Sequence, residues 1–350
     1  MKKTTKKIIL RSLLGVGCLF ILFSITAFVG IGHAFTKEFR RCEMADYDST
    51  KLLVYSDFDS IQYPRERMRI PSGENQLDAF LYAPAKSYTG SPSRGLVIVT
   101  PGHQDYSSIK LPEIVAFADY GWSVLCFDVT GCYGSTGKSM KGFTQAVRDL
   151  DAVLTYVESD DRFSSLPIML FGHSKGAYAS TAVMLFPGHR VRAIVAASGL
   201  NSPVEQWRYT VRKRTGVLGG ILSPYASLVA ICKQGFDSRL TAIDGINAAG
   251  QRGIPVLLYA GTEDPYFGQV SSIYAHSDLI TNPNCYIKVQ DRENHRGHVD
   301  YFYTDSALAS QKQVHTLGHL PPDFDKHLYV QHDPAIMAEI NAFFSNALSH

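Results

Sequence analysis

The stretch that decides the fold is Leu166-Pro167-Ile168-Met169-Leu170-Phe171-Gly172-His173-Ser174-Lys175-Gly176, followed by the small-residue run from Ala177 to Phe186. An apolar segment suited to a covered strand leads into a tight turn, and a helix-forming segment leaves it. The turn itself, Gly172-His173-Ser174-Lys175-Gly176, has the pattern G-x-S-x-G. At a strand-to-helix turn that pattern holds a serine on strained backbone with its hydroxyl above the sheet, and the glycines leave room for the crossing. The position between strand and helix, more than the bare pattern, gives the motif its weight.

Outward from this turn, strands and helices alternate. Arg65 to Ile70 and Gln76 to Tyr82, parted by turn residues, predict an antiparallel hairpin. Apolar runs at Leu96–Thr100, Ser123–Phe127, Ile168–Phe171, Ala193–Ala197, Pro255–Tyr259 and Tyr286–Val289 predict strands, with helices at Leu111–Tyr120, Phe143–Val157 and Pro334–Leu348. Continuous runs of this kind separated by helices mean an α/β fold with a mostly parallel sheet covered on both faces. Residues 201–233 interrupt the alternation with Trp207, Tyr209, Tyr225 and the cations Arg208, Arg212, Lys213 and Arg214. A connection of that length in a compact domain is usually functional, and it reads as a small helical lid. Its cations suit a negatively charged substrate group or anionic headgroups, and its aromatic residues suit an acyl chain.

A serine hydroxyl needs a base within reach, the base needs a carboxylate to fix its tautomer, and the developing oxyanion needs paired N–H donors. The run Pro255–Tyr259 leads into Ala260-Gly261-Thr262-Glu263-Asp264-Pro265, which offers Asp264 as the carboxylate ahead of Glu263. The loop after Tyr286–Val289 carries two histidines, and His298, preceded by Gly297, is chosen as base with His295 as the alternative. The expected oxyanion donors are the backbone N–H groups of Lys175 and of His103, with Gln104 as the alternative to His103. The Lys175 side chain is expected to be a surface group at the mouth of the site. His315, His319, His327 and His332 lie in a polar segment and are expected to be exposed.

The chain has 350 residues, 45% of them hydrophobic, and a formal charge of +2. That supports a large core and gives no hint of a nucleic-acid partner. Lys2, Lys3, Lys6, Lys7 and Arg11 crowd a basic tail (residues 1–11) ahead of an uncharged apolar stretch over 12–36. This is long enough to cross a bilayer, and the charge bias places the tail in the cytoplasm and the remainder outside. The reading is a single-pass signal-anchor in the cell membrane, then a tether over 37–64 and a catalytic domain over 65–350. The alternative is a protein secreted after cleavage near Gly32-His33-Ala34. Six cysteines show no metal-ligand spacing, and neither a metal nor an organic cofactor is expected. Cys126 reads as a buried thiol.

From about Arg65 to Leu348 the chain resembles the α/β-hydrolase superfamily, and more narrowly its membrane-anchored bacterial serine hydrolases. The resemblance rests on Pro101-Gly102-His103-Gln104, on Asp128 to Ser135, on the elbow at Ser174, and on Gly261-Thr262-Glu263-Asp264 followed by Gly297-His298. It implies an eight-stranded sheet and cleavage of an ester, thioester or amide through a Ser174 acyl-enzyme, with a small-molecule, lipid or peptide acyl substrate. Esterases, lipases and peptidases share the fold, so the substrate does not carry over. The readings of other classes are a catalytically silent binding or scaffolding protein and an acyltransferase.

Overall fold

The computed structural model describes residues 2–43, 51–88 and 93–349. In chain order the principal elements are α1 (Lys2–Glu38), β1 (Arg65–Ser72), β2 (Asn75–Tyr82), β3 (Leu96–Thr100), α2 (Leu111–Asp119), β4 (Ser123–Phe127), α3 (Thr144–Ser159), β5 (Ile168–His173) and α4 (Lys175–Ala182). They continue with β6 (Val191–Ala197), α5 (Pro203–Thr215), α6 (Gly219–Gln234), α7 (Ala242–Gln251), β7 (Val256–Gly261), β8 (Cys285–Gln290), α8 (Asp305–Leu317) and α9 (Pro334–Asn346).

The strands form one eight-stranded sheet in the order β1-β2-β4-β3-β5-β6-β7-β8. Pairing is parallel from β4 through β8, and β2 runs antiparallel to both of its neighbours. The inner strands β3 to β7 are apolar because both of their faces are covered. Ile98, Leu125, Leu170, Ile194 and Leu258 point into one core, with residues of α3, α4 and α7. Their neighbours Val97, Val99, Val124, Met169, Phe171, Val195 and Leu257 point into the other, against Ile114 and Phe117 of α2 and Ile340 and Phe344 of α9. At roughly 1.5–3 kcal/mol per fully buried large apolar side chain, these two layers supply the main drive for folding.

Because β3, β5, β7 and β8 are parallel, their carboxyl ends lie along one edge. The loops leaving that edge carry His103, Ser174, Asp264 and His298 in turn.

The lid is the helix pair α5 and α6. Ser202 caps α5 by accepting from the Glu205 N–H, and Pro203 sits in its first turn. Helix α1 exposes its apolar residues from Ile8 to Ile25, whereas Ala27, Ile31 and Phe35, and Phe39 just past its end, are buried. That four-residue spacing draws one stripe down the helix. The second half of α1 packs on the lid: Phe23 meets Tyr225 edge-on at 6.0 Å, Ser24 Oγ hydrogen-bonds Tyr225 OH at 2.7 Å, and Phe35 meets Trp207 at 5.1 Å.

The segment expected as a tether is held against the domain at several points. Phe39 lies 4.9 Å from the Phe143 ring, and Leu53 is buried in the core beside Tyr82. Residues 44–50 of that segment lie outside the described residues. The helix α8, which the sequence reading did not include, buries Ala307 and Val314 and is capped by Thr304.

Candidate active site

Ser174 sits between β5 and α4 at φ 58° and ψ −119°, the strained conformation that a nucleophile elbow requires. The glycines around it are there for want of space. A Cβ on Gly172 would lie 2.2 Å from the Gly176 carbonyl oxygen, and one on Gly176 would lie 2.0 Å from the Thr100 carbonyl oxygen. The Ser174 N–H donates to Ala197 O at 2.8 Å, which ties the strained residue to β6.

The structure brings His298 together with Asp264. His298 Nδ1–H donates to Asp264 Oδ2 at 2.7 Å, and the two side chains are only 10% and 5% exposed. The other carboxylate oxygen accepts the N–H groups of Tyr266 (2.8 Å) and Phe267 (3.2 Å), so the loop fixes the carboxylate as the carboxylate fixes the imidazole. A Cβ on Gly261 would strike the Arg296 and Gly297 carbonyls, so glycine at the end of β7 is what lets the histidine loop descend onto it. The His298 ring is boxed by Tyr266, Phe267 and His173, with centroids at 4.9, 5.1 and 4.8 Å. Burial pushes His173 well below the usual histidine range, so its neutral ring donates Nε2–H to the His298 carbonyl at 3.2 Å.

The alternative residues are engaged elsewhere. His295 is buried, its Nδ1 donating to Asp300 O at 3.1 Å and its Nε2 lying 2.7 Å from Asp305 Oδ1. Glu263 pairs at 2.9 Å with Arg296 near the surface.

Ser174 and His298 line one open cleft of about 1040 Å³, together with His103, Gln104, Trp207 and Glu38. Lys175 is the first residue of α4, so its N–H has no intrahelical acceptor. Among the described residues, the N–H groups of His103 and Gln104 also make no hydrogen bond. A brace holds their turn: Gly102 N–H donates to Asp105 Oδ2 at 3.1 Å, and buried Lys110 reaches Asp105 at 3.3 Å and Glu113 at 3.4 Å. The His103 ring packs between Phe39 and Phe143, and burial lowers its pKa despite Glu38 beside it.

Two expectations are corrected. The Lys175 side chain is not a surface group; the residue is 2% exposed. The first turn of α4 is pressed against the end of β3, which leaves its side chains no route outward. His332 is not solvent-facing either, since its ring stacks on Phe302 at 5.7 Å. His315, His319 and His327 are exposed as expected. Glu38 and the Lys110–Asp105 brace were not anticipated. The only sequence signal for the brace is an acidic residue three positions after Gly102.

Comparison with known proteins agrees with this architecture. The family model described as serine aminopeptidase, S33, matches residues 91–241. An esterase from Pyrococcus furiosus superimposes with a TM-score of 0.54 at 16% identity, over 80% of this chain and 96% of that one. Est1E from Butyrivibrio proteoclasticus, with ferulic acid bound, gives 0.52 at 16% identity over 81% and 100% of the two chains. A carboxyl esterase from Bacillus coagulans in complex with glycerol gives 0.50 at 16% identity over 81% and 98%. Comparison with curated protein sequences gave no match. The fold is that of the α/β hydrolases. The chain's match to the serine aminopeptidase family supports a hydrolase activity.

Proposed function

We propose that the protein is a membrane-anchored serine hydrolase that cleaves an ester, thioester or amide through an acyl-enzyme on Ser174. The observation that carries this reading is the 2.7 Å bond from His298 Nδ1–H to the buried Asp264 carboxylate, in a cleft that also holds Ser174 on strained backbone. In the reaction His298 Nε2 takes the Ser174 proton as Oγ attacks the acyl carbon, and Asp264 stabilises the imidazolium. The backbone N–H groups of Lys175 and His103, with Gln104 as the alternative to His103, receive the oxyanion. His298 then returns the proton to the leaving group, and water, deprotonated by the same histidine, releases the acid.

The cleft suits an acyl substrate more than an anionic one. Two of the lid cations are already engaged within the protein: Arg214 donates to Glu38 at 2.8 Å, and Lys213 donates to the Pro265 carbonyl. Trp207 and Phe143 supply apolar wall.

The anchor reading is supported by the exposed apolar surface of α1 from Ile8 to Ile25, which water would not tolerate uncovered. Cleavage after Ala34 would also remove Ala27 and Ile31 from the buried stripe, which favours an uncleaved anchor over a secreted form. We place the catalytic domain outside the cytoplasm on the charge bias of the tail.

The test is turnover of a graded series of acyl esters, thioesters and amides by the detergent-solubilised full chain. Hydrolysis that disappears in Ser174→Ala supports the reading. Hydrolysis retained by that variant, or absent from the native chain across the series, overturns it.

A further inference from the structure

Just beyond α1, Cys42 lies edge to edge with the loop that follows β4. Its N–H donates to Gly131 O at 2.9 Å and its carbonyl accepts from Tyr133 N–H at 2.9 Å. This sets Cys42 directly beside Cys132, as in a parallel ladder. Neighbouring strands lie about 4.8 Å apart, and a disulfide joins Cα atoms roughly 4.4–6.8 Å apart. The backbone is therefore already within reach of that bond. Both residues carry free thiols, and Cys42 Sγ also lies 3.5 Å from the Tyr133 hydroxyl. Cys132 is fully buried and Cys42 is partly open to solvent. The charge of Lys175, a buried residue, acts on both sulfurs.

We propose that Cys42 and Cys132 are a dithiol pair that closes to a disulfide, tying the exit of α1 to the loop beside the oxyanion turn. The two thiols have different parts. The Cys132 hydrogen bond, then the Tyr133 hydroxyl and the charge of Lys175, hold Cys42 down to about 6 against the opposing effect of burial, so it is a thiolate near neutrality. The same hydrogen bond and burial push Cys132 up, so it keeps its proton and waits.

Closure is an exchange with an external disulfide, either a small-molecule one or that of a dithiol oxidase. The Cys42 thiolate attacks one external sulfur, forming a mixed disulfide and expelling the other sulfur as a thiolate. That thiolate takes the Cys132 proton. The Cys132 thiolate attacks Cys42 Sγ and expels the second external sulfur, which is protonated by solvent. One S–S bond forms and one breaks; the two cysteines are oxidised by two electrons and the external disulfide is reduced to two thiols. The acidity of Cys42 makes it a good leaving group in the reverse direction, so the bond answers to the redox poise outside.

The consequence reaches the cleft without depending on the catalytic reading. Closure removes the negative charge of the Cys42 thiolate, on which the charge of Lys175 acts. It also pins the segment carrying Glu38 and Phe39, and Cys42 Sγ lies 3.7 Å from the Gln104 carbonyl.

The experiment uses the full chain, isolated from membranes in the presence of N-ethylmaleimide and digested without reduction. A second portion is equilibrated with graded ratios of reduced and oxidised glutathione before blocking. A peptide joining Cys42 to Cys132, in the isolated protein or at an oxidising ratio, and its loss on dithiothreitol, supports the proposal. So does a thermal midpoint that falls by several degrees on reduction of the native chain and does not move in Cys132→Ser. Cys42→Ser provides the same comparison should Cys132→Ser not fold. Separate alkylation of both cysteines at every ratio, in protein that remains folded by near-ultraviolet circular dichroism, overturns it.

Discussion

Glu38, the last residue of the apolar N-terminal helix, lies 3.4 Å from His103 in the turn after β3, while its second oxygen accepts from Arg214 of the lid at 2.8 Å. One carboxylate thus joins helix, turn and lid at the wall of the cleft. The helix is built into the site as well as attached to it.

Phe39→Ala tests that integration. Phe39 packs against Phe35, His103 and Phe143, and removing a buried phenylalanine costs ~3–5 kcal/mol. Thermal unfolding of the full chain in detergent should show a lowered midpoint for the variant. An unchanged midpoint would mean that the contact contributes nothing to the fold.

Lys110→Met tests the brace under the turn after β3. It strands the Asp105 and Glu113 carboxylates, the latter in a buried position, and breaking such a group by removing one partner costs roughly 3–5 kcal/mol. Denaturant unfolding should register that loss. The double variant Lys110→Met with Glu113→Leu should recover part of it.

Acid lability follows from His173. Its folded pKa is depressed by burial, so below the unfolded value of about 6.5 the unfolded chain binds a proton that the native ring refuses. Stability attributable to this group is therefore full above about 6.5 and falls as pH drops, by at most about 1.4 kcal/mol per pH unit. Unfolding measured from pH 7.5 to 5.5 should show a shallower loss in His173→Asn than in the native chain. Equal slopes would contradict the assignment.

The two loop histidines separate by variant. His298→Ala is expected to lower kcat by several orders of magnitude, and Asp264→Asn by about 10⁴-fold. His295→Ala is expected to lower stability with much less effect on kcat, because its ring binds Asp300 and Asp305 rather than the cleft. The reverse pattern would move the base to His295.

The sheet was legible because the inner strands β3 to β7 are covered on both faces, and an unbroken apolar run is what such a strand requires. The strand ends then located Ser174 and Asp264, since parallel strands deliver their loops to one edge. Spacing alone left His298 and His295 open, because which ring meets the carboxylate depends on how the loop descends past Gly261. The stripe Ala27, Ile31 and Phe35, continued by Phe39 just beyond α1, was hidden in a stretch that is apolar on every side. Lys175 reads as a surface residue until the close seat of α4 on β3 is known. Helix α8 escaped notice because it buries only Ala307 and Val314.

The most direct test of the central claim is labelling of the full chain with a fluorophosphonate, with the adduct located by peptide mass spectrometry. A single adduct on Ser174 is expected, formed at a comparable rate in folded His295→Ala and at a rate lower by orders of magnitude in His298→Ala. An adduct on another residue, labelling of Ser174 that does not depend on His298, or no labelling of folded native protein would contradict it.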